Sequence, residues 1–258
     1  MKPKSITAFF PAYNDGGTIG QLVMVALETL PKITDDYEVL VVNDGSRDGT
    51  ADVLDRLARQ NPRVRVIHHT RNRGYGGALR SGFANARKEW IFYTDGDGQY
   101  DPRELLQLIA VWRDDLDLVN GYKLVRHDPL YRVVIGRAYH YFARLAFGIR
   151  AYDVDCDFRL IRRALFDRVE LESDTGAICV EMIKKFQDNG CRFAHVPVHH
   201  YHRVCGSSEF FRPRRLWRVA VHLSQLWWKL IVRRDHRVMT NAPNASADTL
   251  PITHDASA

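Results

Sequence analysis

The stretch YTDGDGQYDP, residues 93–102, sets two carboxylates, Asp95 and Asp97, one glycine apart just after the apolar run Trp90-Ile91-Phe92. Like charges at the end of a buried strand repel, and burial makes each costlier to ionise. A divalent cation between them would remove both penalties. Hard oxygen donors suit Mg²⁺ or Mn²⁺, ions that commonly complete their shell with substrate phosphates, so a diphosphate is the matching ligand. Gln99 adds a third oxygen donor, and no basic residue in 93–102 offers another way to neutralise the pair. A plain Asp/Gly turn accounts for the same residues without a metal. A calcium-binding helix-loop-helix site is excluded, because its sixth position must be glycine and its twelfth acidic, where this chain has Tyr100 and Leu106.

Other chemistry-bearing segments are weaker when read singly. RGYGGALRSG (73–82) is glycine-rich but fits neither GxxxxGK[ST] nor GxGxxG, so neither phosphate-loop nor dinucleotide fingerprint is supported. VVNDGSRDGT (41–50) puts Asp44 at the end of an apolar run, where it can accept hydrogen bonds from a base or ribose, or simply cap the next helix. His199, His200 and His202 suggest a metal site, but successive strand residues face opposite ways and no cysteine pattern accompanies them. The four cysteines contain no CxxC pair and read as reduced thiols.

The elements that must position these residues alternate. Short apolar runs at 6–10, 38–42, 64–68, 90–94 and 116–120 are separated by segments with helical spacing, as in Ala51, Leu54, Leu57 and Ala58. This predicts βαβ units and a mostly parallel, doubly wound α/β sheet flanked by helices. In such sheets ligands bind beyond the carboxyl ends of the strands, so 11–14, 43–48, 71–77 and 95–99 should converge. Further on, 130–148 reads as a helix, 158–163 as a strand, 175–189 as a helix and 192–202 as a strand. RPRRLWRVAVHLSQLWWKLIVRR (212–234) is amphipathic. Arg218, His222, Gln225 and Lys229 form one stripe, with Leu216, Val219, Leu223, Leu226, Trp227 and Leu230 around the other side. Such a helix lies in a membrane interface more naturally than across the bilayer, or else packs on its own domain. The expected organisation is a catalytic domain over 1–211, an interfacial helix over 212–238 and a disordered polar tail over 239–258.

FFPAYND, VVNDGSRDGT, RNRGYGGALRSGF, YTDGDGQYDP and the later DVDCDFR (153–159) occur in an order and at intervals that resemble family 2 glycosyltransferases of the GT-A fold. The resemblance is strongest to the dolichol-phosphate mannose synthase and polyprenyl-phosphate glycosyltransferase branch, and it covers about residues 5–211. It implies that Pro11, Ala12, Tyr13, Asn14 and Asp44 line a nucleotide, with the loop from Arg71 through Gly74 to Gly77 closing beside it. Asp95, Asp97 and Gln99 would hold the metal and the donor diphosphate. Asp153 matches the branch's acidic position, and Asp97, Asp153 and Asp155 are the candidate catalytic carboxylates. Asp157 stands where the branch more often has glycine, and a solvated acidic loop is the plain alternative for all three aspartates of 153–157. Arg203 and Ser207 match an RxxGxS pattern that contacts phosphate. Arg126, Arg132 and Arg137 are candidates for a lipid phosphate or form a solvated basic face.

These implications add up to a metal-dependent inverting hexosyltransferase, moving sugar from a GDP-mannose or UDP-glucose type donor to a polyprenyl or dolichyl phosphate. A soluble sugar, glycolipid or cell-wall glycan acceptor is the alternative, and a non-catalytic nucleotide-sugar-binding protein a further one. The expected setting is cytoplasmic, peripheral to the inner face of a membrane, with a membrane partner protein as an option. The chain has 258 residues, 45% hydrophobic and 26% charged, which excludes wholesale disorder. Its net charge of +6 admits nucleic acid, but the arginines are interleaved with aliphatic and aromatic residues and no nucleic-acid-binding signature is present. No QxxRW segment of processive synthases occurs.

Overall fold

The computed structural model of this chain describes residues 2–126, 141–202 and 213–234, the side chains of 125–126 and 213–217 excepted. These residues form a seven-stranded sheet in the order β3-β2-β1-β4-β6-β5-β7. The strands are β1 (Ser5–Ala12), β2 (Asp36–Asn43), β3 (Val64–His68), β4 (Trp90–Thr94), β5 (Leu118–Arg126), β6 (Phe158–Arg162) and β7 (Phe193–His200). Pairings are parallel except where β6 runs antiparallel between β4 and β5. The mixed, mostly parallel sheet expected from the alternation is therefore present.

Strand residues alternate between two cores, as a period of two requires. Ile6, Ala8 and Phe10 of β1, with Trp90 and Phe92 of β4, share one core with the helices α1 (Ile19–Thr29), α2 (Thr50–Gln60) and α4 (Leu105–Val111). Phe9, Ile91 and Tyr93 face the other, with α3 (Gly74–Asn85), the helix 141–147 (α5), α6 (Ala177–Asp188) and α7 (Pro213–Trp227). The strands bearing both-sided apolar runs are the central ones, covered by helices on each face.

Two elements differ from the sequence reading. The fifth strand runs six residues further than expected, to Arg126, because its C-terminal half pairs with β7 across an irregularity between Lys123 and Arg126. The mixed polarity of GYKLVR hid that edge pairing. The apolar stripe of the C-terminal helix also has a different partner: Val219, Leu223, Leu226 and Leu230 are buried in the domain's own core, against α6 and α5. The helix continues as a π-helix over Trp228–Arg233. It is tied down by Trp227 Nε1 donating to the Ala146 carbonyl at 2.8 Å and by Lys229 pairing with Glu172. No helix of the described residues is long and apolar enough to cross a membrane.

The register across β4, β6, β5 and β7 places Tyr93, Arg159, Asn120 and His195 in one row on the second face. His195 ends that row with both ring nitrogens buried and without a hydrogen-bond partner among the described residues, its ring stacked 4.4 Å from that of Tyr152. Burial pulls its pKa from 6.5 down to about 4. The folded state therefore holds this imidazole neutral while the unfolded chain protonates it. The associated stability is fully present above pH 6.5 and falls by about 1.4 kcal/mol per pH unit as the pH drops from 6.5 toward 4, about 3 kcal/mol in all. Urea denaturation at pH 7.5 and pH 5 should show this loss, and His195→Phe should reduce it by about 2 kcal/mol over that interval. An unchanged pH dependence in His195→Phe would refute the assignment.

Candidate active site

The two aspartates follow β4 at the centre of the sheet, where β1 lies on one side and β6 on the other. Gly96 between them is required by a close approach: its N–H donates to the Pro11 carbonyl at 3.1 Å, and a Cβ there would stand 2.7 Å from that oxygen. The Thr18 hydroxyl donates to the Gly96 carbonyl at 2.8 Å. The spacing of one glycine thus locks the acidic loop to the end of β1. Asp97 closes its own turn by accepting from the Gln99 N–H at 3.0 Å, and Gly98 takes φ of +79°, a backbone region that favours glycine.

Asp95 is half-buried. Its Oδ1 accepts from the Tyr75 hydroxyl at 2.8 Å. Its carboxyl is held well above the ordinary carboxylate range, first by burial, then by the Asp157 and Asp97 charges, with the Tyr75 hydrogen bond working against them. Among the described residues no three carboxylate, imidazole or thiolate groups form a ready cage for an ion. The donor set still fits Mg²⁺ or Mn²⁺, since such ions are commonly held by one or two carboxylates with substrate phosphate oxygens completing the shell. A bound cation would lower the repulsion that raises Asp95. The Gln99 side-chain nitrogen donates to the Tyr201 carbonyl at 3.2 Å, and the Gln99 backbone carbonyl accepts from the Tyr201 N–H at 2.9 Å. Gln99 thus pins the acidic loop to the end of β7.

Of the three later aspartates, the one brought beside Asp95 is Asp157. Its Oδ1 accepts from the Tyr93 hydroxyl, from the Cys179 thiol at 3.2 Å, and lies 3.6 Å from Arg159 Nη1. Asp153 is buried and serves its own loop, with Oδ1 accepting from the Asp155 N–H at 3.0 Å and Oδ2 from the Lys123 N–H at 3.4 Å. The Asp155 carbonyl accepts from the Lys123 ammonium at 2.8 Å. Below them Arg159, wholly enclosed, donates to the Asn120 side chain at 2.7 Å, to the Tyr93 hydroxyl at 2.9 Å and to the Val154 carbonyl at 2.5 Å. Asn120 in turn donates to the Asp153 carbonyl at 3.0 Å. One buried cation therefore fixes both the acidic loop and Asp157. Sequence reasoning singled out Asp153 and Asp155 because it had no register to show that Arg159 stands directly opposite Tyr93.

The glycines of α3 serve backbone contact. Gly76 donates its N–H to the Asp174 carbonyl at 3.1 Å, and a Cβ at Gly74 or Gly76 would meet the carbonyl of Asp174 at 2.5 Å or Ser173 at 2.1 Å. At Gly77 a Cβ would meet the Arg73 side chain at 2.7 Å. These contacts let the 173–174 loop press Tyr75 toward Asp95. Asn14, at φ of +58°, bridges β1 to the next loop, accepting from the Arg47 N–H and donating its N–H to Ser46 Oγ, both at 2.9 Å. Tyr13, Ser46, Arg47, His69 and Arg71 line a cleft of about 420 Å³ beyond the ends of β1, β2 and β3. The strand-end segments expected to converge do so. Arg126 closes β5 with its side chain undescribed, and Arg132, Arg137, Arg203 and Ser207 lie outside the described residues, as does the tail from 235.

A mostly parallel sheet flanked by helices, with a cleft of about 420 Å³ beyond the ends of β1, β2 and β3 and an acidic loop after β4, has the GT-A architecture of glycosyltransferases. The chain belongs to glycosyl transferase family 2, whose family model matches residues 7–170. It is 32% identical over 237 residues to glycosyltransferase AglD of Haloferax volcanii, covering 88% of this chain and 38% of that protein. It is 28% identical over 211 residues to polyprenol monophosphomannose synthase of Mycolicibacterium smegmatis, covering 77% of this chain and 78% of that one. To an undecaprenyl-phosphate 4-deoxy-4-formamido-L-arabinose transferase of Yersinia enterocolitica it is 26% identical over 211 residues, covering 81% of this chain and 63% of the relative. The chain thus spans between about two fifths and four fifths of these relatives. In fold it is similar to glucosyl-3-phosphoglycerate synthase of Mycobacterium tuberculosis with Mn²⁺, UDP and phosphoglyceric acid, at a TM-score of 0.67, 17% identity and coverage of 87% and 78% of the two chains. Mannosyl-3-phosphoglycerate synthase of Rubrobacter xylanophilus gives 0.64 at 16% identity, covering 93% and 77%.

Replacing Arg159 by Met should lower folding stability by about 3–5 kcal/mol, because Asp157 and the loop carbonyls lose their buried cation. Urea denaturation measures this directly. A change below about 1 kcal/mol, the range of an exposed ion pair, would show that Arg159 does not organise the site.

Proposed function

We propose that this chain transfers a hexose from a nucleotide-diphosphate sugar to a polyprenyl phosphate at a membrane surface, with inversion at the anomeric carbon. The observation that carries the reading is the pair Asp95 and Asp97, half-buried and buried respectively, fixed after β4 beside the strand-end cleft. Asp95 and Asp97 would hold Mg²⁺ or Mn²⁺, with the Gln99 turn bracing them. That cation supplies neutralisation of the charge that develops on the diphosphate as it leaves. In the transfer itself, an acceptor phosphate oxygen forms a bond to the anomeric carbon while the bond to the donor diphosphate breaks, its electron pair leaving with the diphosphate. The acceptor is already ionised, so the protein must position it and exclude water rather than deprotonate it. Asp157, engaged by Tyr93, Cys179 and Arg159, stands beside Asp95. The names of the mycobacterial and Yersinia relatives, both carrying a polyprenyl-type substrate, support the lipid acceptor.

The same reading places the protein peripherally, on the inner face of the membrane. With the apolar stripe of α7 occupied by the core, the membrane contact moves to what the helices leave outside: Tyr141, Phe142 and Leu145 of α5, with Trp228 and Val232 of the π-helix, all exposed and bordered by Arg233 and Arg234. Leu145 and Arg234 line one shared groove of about 260 Å³ between the two helices. Aromatic and aliphatic residues rimmed by arginines suit an anionic lipid interface.

Incubation with labelled sugar nucleotides, Mn²⁺ or Mg²⁺ and polyprenyl phosphate should carry label into the organic phase. Asp97→Asn should lower this transfer by at least about 100-fold with an unchanged melting temperature, as for loss of a main electrostatic stabiliser. Absence of lipid-phase label with every donor would overturn the lipid acceptor, and retained activity in Asp97→Asn would remove the metal role. In flotation on vesicles containing anionic lipid, joint replacement of Leu145 and Trp228 by Ala should lower the bound fraction about tenfold or more, since each large apolar side chain inserted contributes about 1.5–3 kcal/mol. Equal flotation would reject the α5 and π-helix face.

A further inference from the structure

We infer that Asp157 is a specificity determinant for the donor sugar: its open carboxylate oxygen accepts from a hydroxyl of a neutral hexose and repels a sugar that carries its own carboxylate. The inference rests on the sugar-nucleotide reading above and adds to it the class of sugar.

Strand register fixes where Asp157 stands. β4 and β6 are antiparallel and their pairing ends with Thr94 opposite Phe158. Asp95 follows Thr94 and Asp157 precedes Phe158, so the two aspartates are the next residues across from each other, just beyond the last pair. Side chains two apart on a strand share a face, and both carboxylates accordingly meet phenols of the second core, Tyr93 for Asp157 and Tyr75 for Asp95. Along the sheet edge the cleft lies beyond β1, β2 and β3, the acidic loop follows β4, and β6 comes next. A nucleotide sugar is ordered in the same sense: nucleoside, diphosphate, sugar. With the nucleoside in the cleft and the diphosphate at Asp95 and Asp97, the sugar is carried past β4 to the start of β6, where Asp157 stands.

Asp157 is anchored through one oxygen and open at the other. Its Oδ1 accepts from the Tyr93 hydroxyl and from the Cys179 thiol at 3.2 Å, with Arg159 Nη1 3.6 Å away, and all three of these side chains are buried. Oδ2 accepts no hydrogen bond among the described residues, and the side chain keeps 16% of its surface exposed. Anchoring Oδ1 on buried donors fixes the direction in which Oδ2 points. Asp157 forms no three-group cage with Asp95 and Asp97, so a metal ion does not claim that oxygen. A carboxylate accepts and does not donate, which makes a hydroxyl its complement, and a hydrogen bond to a charged acceptor is stronger than one between neutral groups. A uronate would instead bring its own negative charge against Asp157 and Asp95 in a partly desolvated site, where salt screens little.

Titration calorimetry of the full chain with Mn²⁺ tests this on two series: UDP, UDP-glucose and UDP-glucuronate, and GDP, GDP-mannose and GDP-mannuronate. In whichever series binds, the neutral sugar nucleotide should bind at least about tenfold tighter than its uronate. Asp157→Gly should lower that ratio at least about fivefold while leaving the affinity for the bare diphosphate within about twofold. A disturbed fold weakens all three ligands together, so a purely structural loss would not move the ratio. Asp157→Asn keeps the volume and removes the charge; it should shift the ratio in the same direction and covers the case in which Asp157→Gly does not fold. Equal binding of neutral and uronate sugars by the unaltered protein would overturn the assignment of Asp157 while leaving a sugar-nucleotide enzyme. So would an unchanged ratio in whichever variants fold, or a parallel loss of diphosphate and sugar nucleotide. Failure of both diphosphates to bind would overturn the sugar-nucleotide reading itself.

Discussion

The active edge of this protein depends on a single buried guanidinium. Arg159 sits in β6, the strand that runs against its neighbours, and register places it between Tyr93 of β4 and Asn120 of β5. Enclosing an arginine is tolerable only when its donors are met and a counter-charge is near. Three of its nitrogens are hydrogen-bonded, and Asp157 supplies the charge. Burial opposes its charge, but the acidic and phenolic groups around it hold its pKa well above the ordinary value. The same contacts stop the 153–157 loop from moving independently of the sheet, so the carboxylate nearest Asp95 has a fixed position. Antiparallel insertion of β6 is what makes this arrangement possible, because it delivers residues 153–157 to the edge where β4 ends.

Around that anchor the acidic groups are held by backbone proximity more than by side-chain bonds. Gly96 lets the acidic loop touch Pro11, Gly45 packs against Arg71 and Asn72, and Gly74 and Gly76 admit the 173–174 loop. A side chain at Gly96 or Gly45 would push two strand ends apart, and one at Gly74 or Gly76 would push α3 from the 173–174 loop. Rigid spacing of this kind matters for a site whose carboxylates repel each other: with the loops unable to separate, the repulsion persists in the free protein, and under the proposed function a cation bound with a diphosphate would relieve it. Burial first, and then that repulsion, hold the Asp95 carboxyl well above its ordinary range, while the Tyr75 hydrogen bond works the other way.

The parts of this design legible in sequence were those written in local pattern. Strand and helix alternation placed β1 to β4 within two residues of their ends and predicted the convergence of the strand-end loops, since a doubly wound sheet leaves them no other place. The roles of individual carboxylates were less legible. The resemblance favoured Asp153 and set Asp157 apart as a departure, whereas the pairing of Arg159 with Tyr93, which no local pattern shows, brings Asp157 beside Asp95. His69 was invisible as a site residue for a related reason: it follows β3, while its partners Asp44 and Ser81 belong to β2's end and α3, 25 and 12 residues away. The amphipathic C-terminal stripe was read correctly as a stripe, but hydrophobic period alone does not say whether a membrane or a core receives it. Here α6 and α5 present a complementary surface, and burial of Val219, Leu223, Leu226 and Leu230 takes that stripe out of contact with solvent.

That last difference bears on how an outer surface is joined to the strand-end site. The site is built from central strands, glycine contacts and a buried ion pair. The apolar residues left outside belong instead to α5 and the π-helix, held to the domain through the Trp227 contact with Ala146 and the Lys229 pair with Glu172. Glu172 leads directly into the 173–174 loop, whose backbone N–H groups at 172 and 173 are fixed by the buried Glu181 at 3.0 and 2.9 Å. The surface helices are therefore joined through one short loop to the glycines of α3, and through Tyr75 to Asp95, by a continuous series of hydrogen bonds and close backbone approaches, the same kind of contact that holds the carboxylates together.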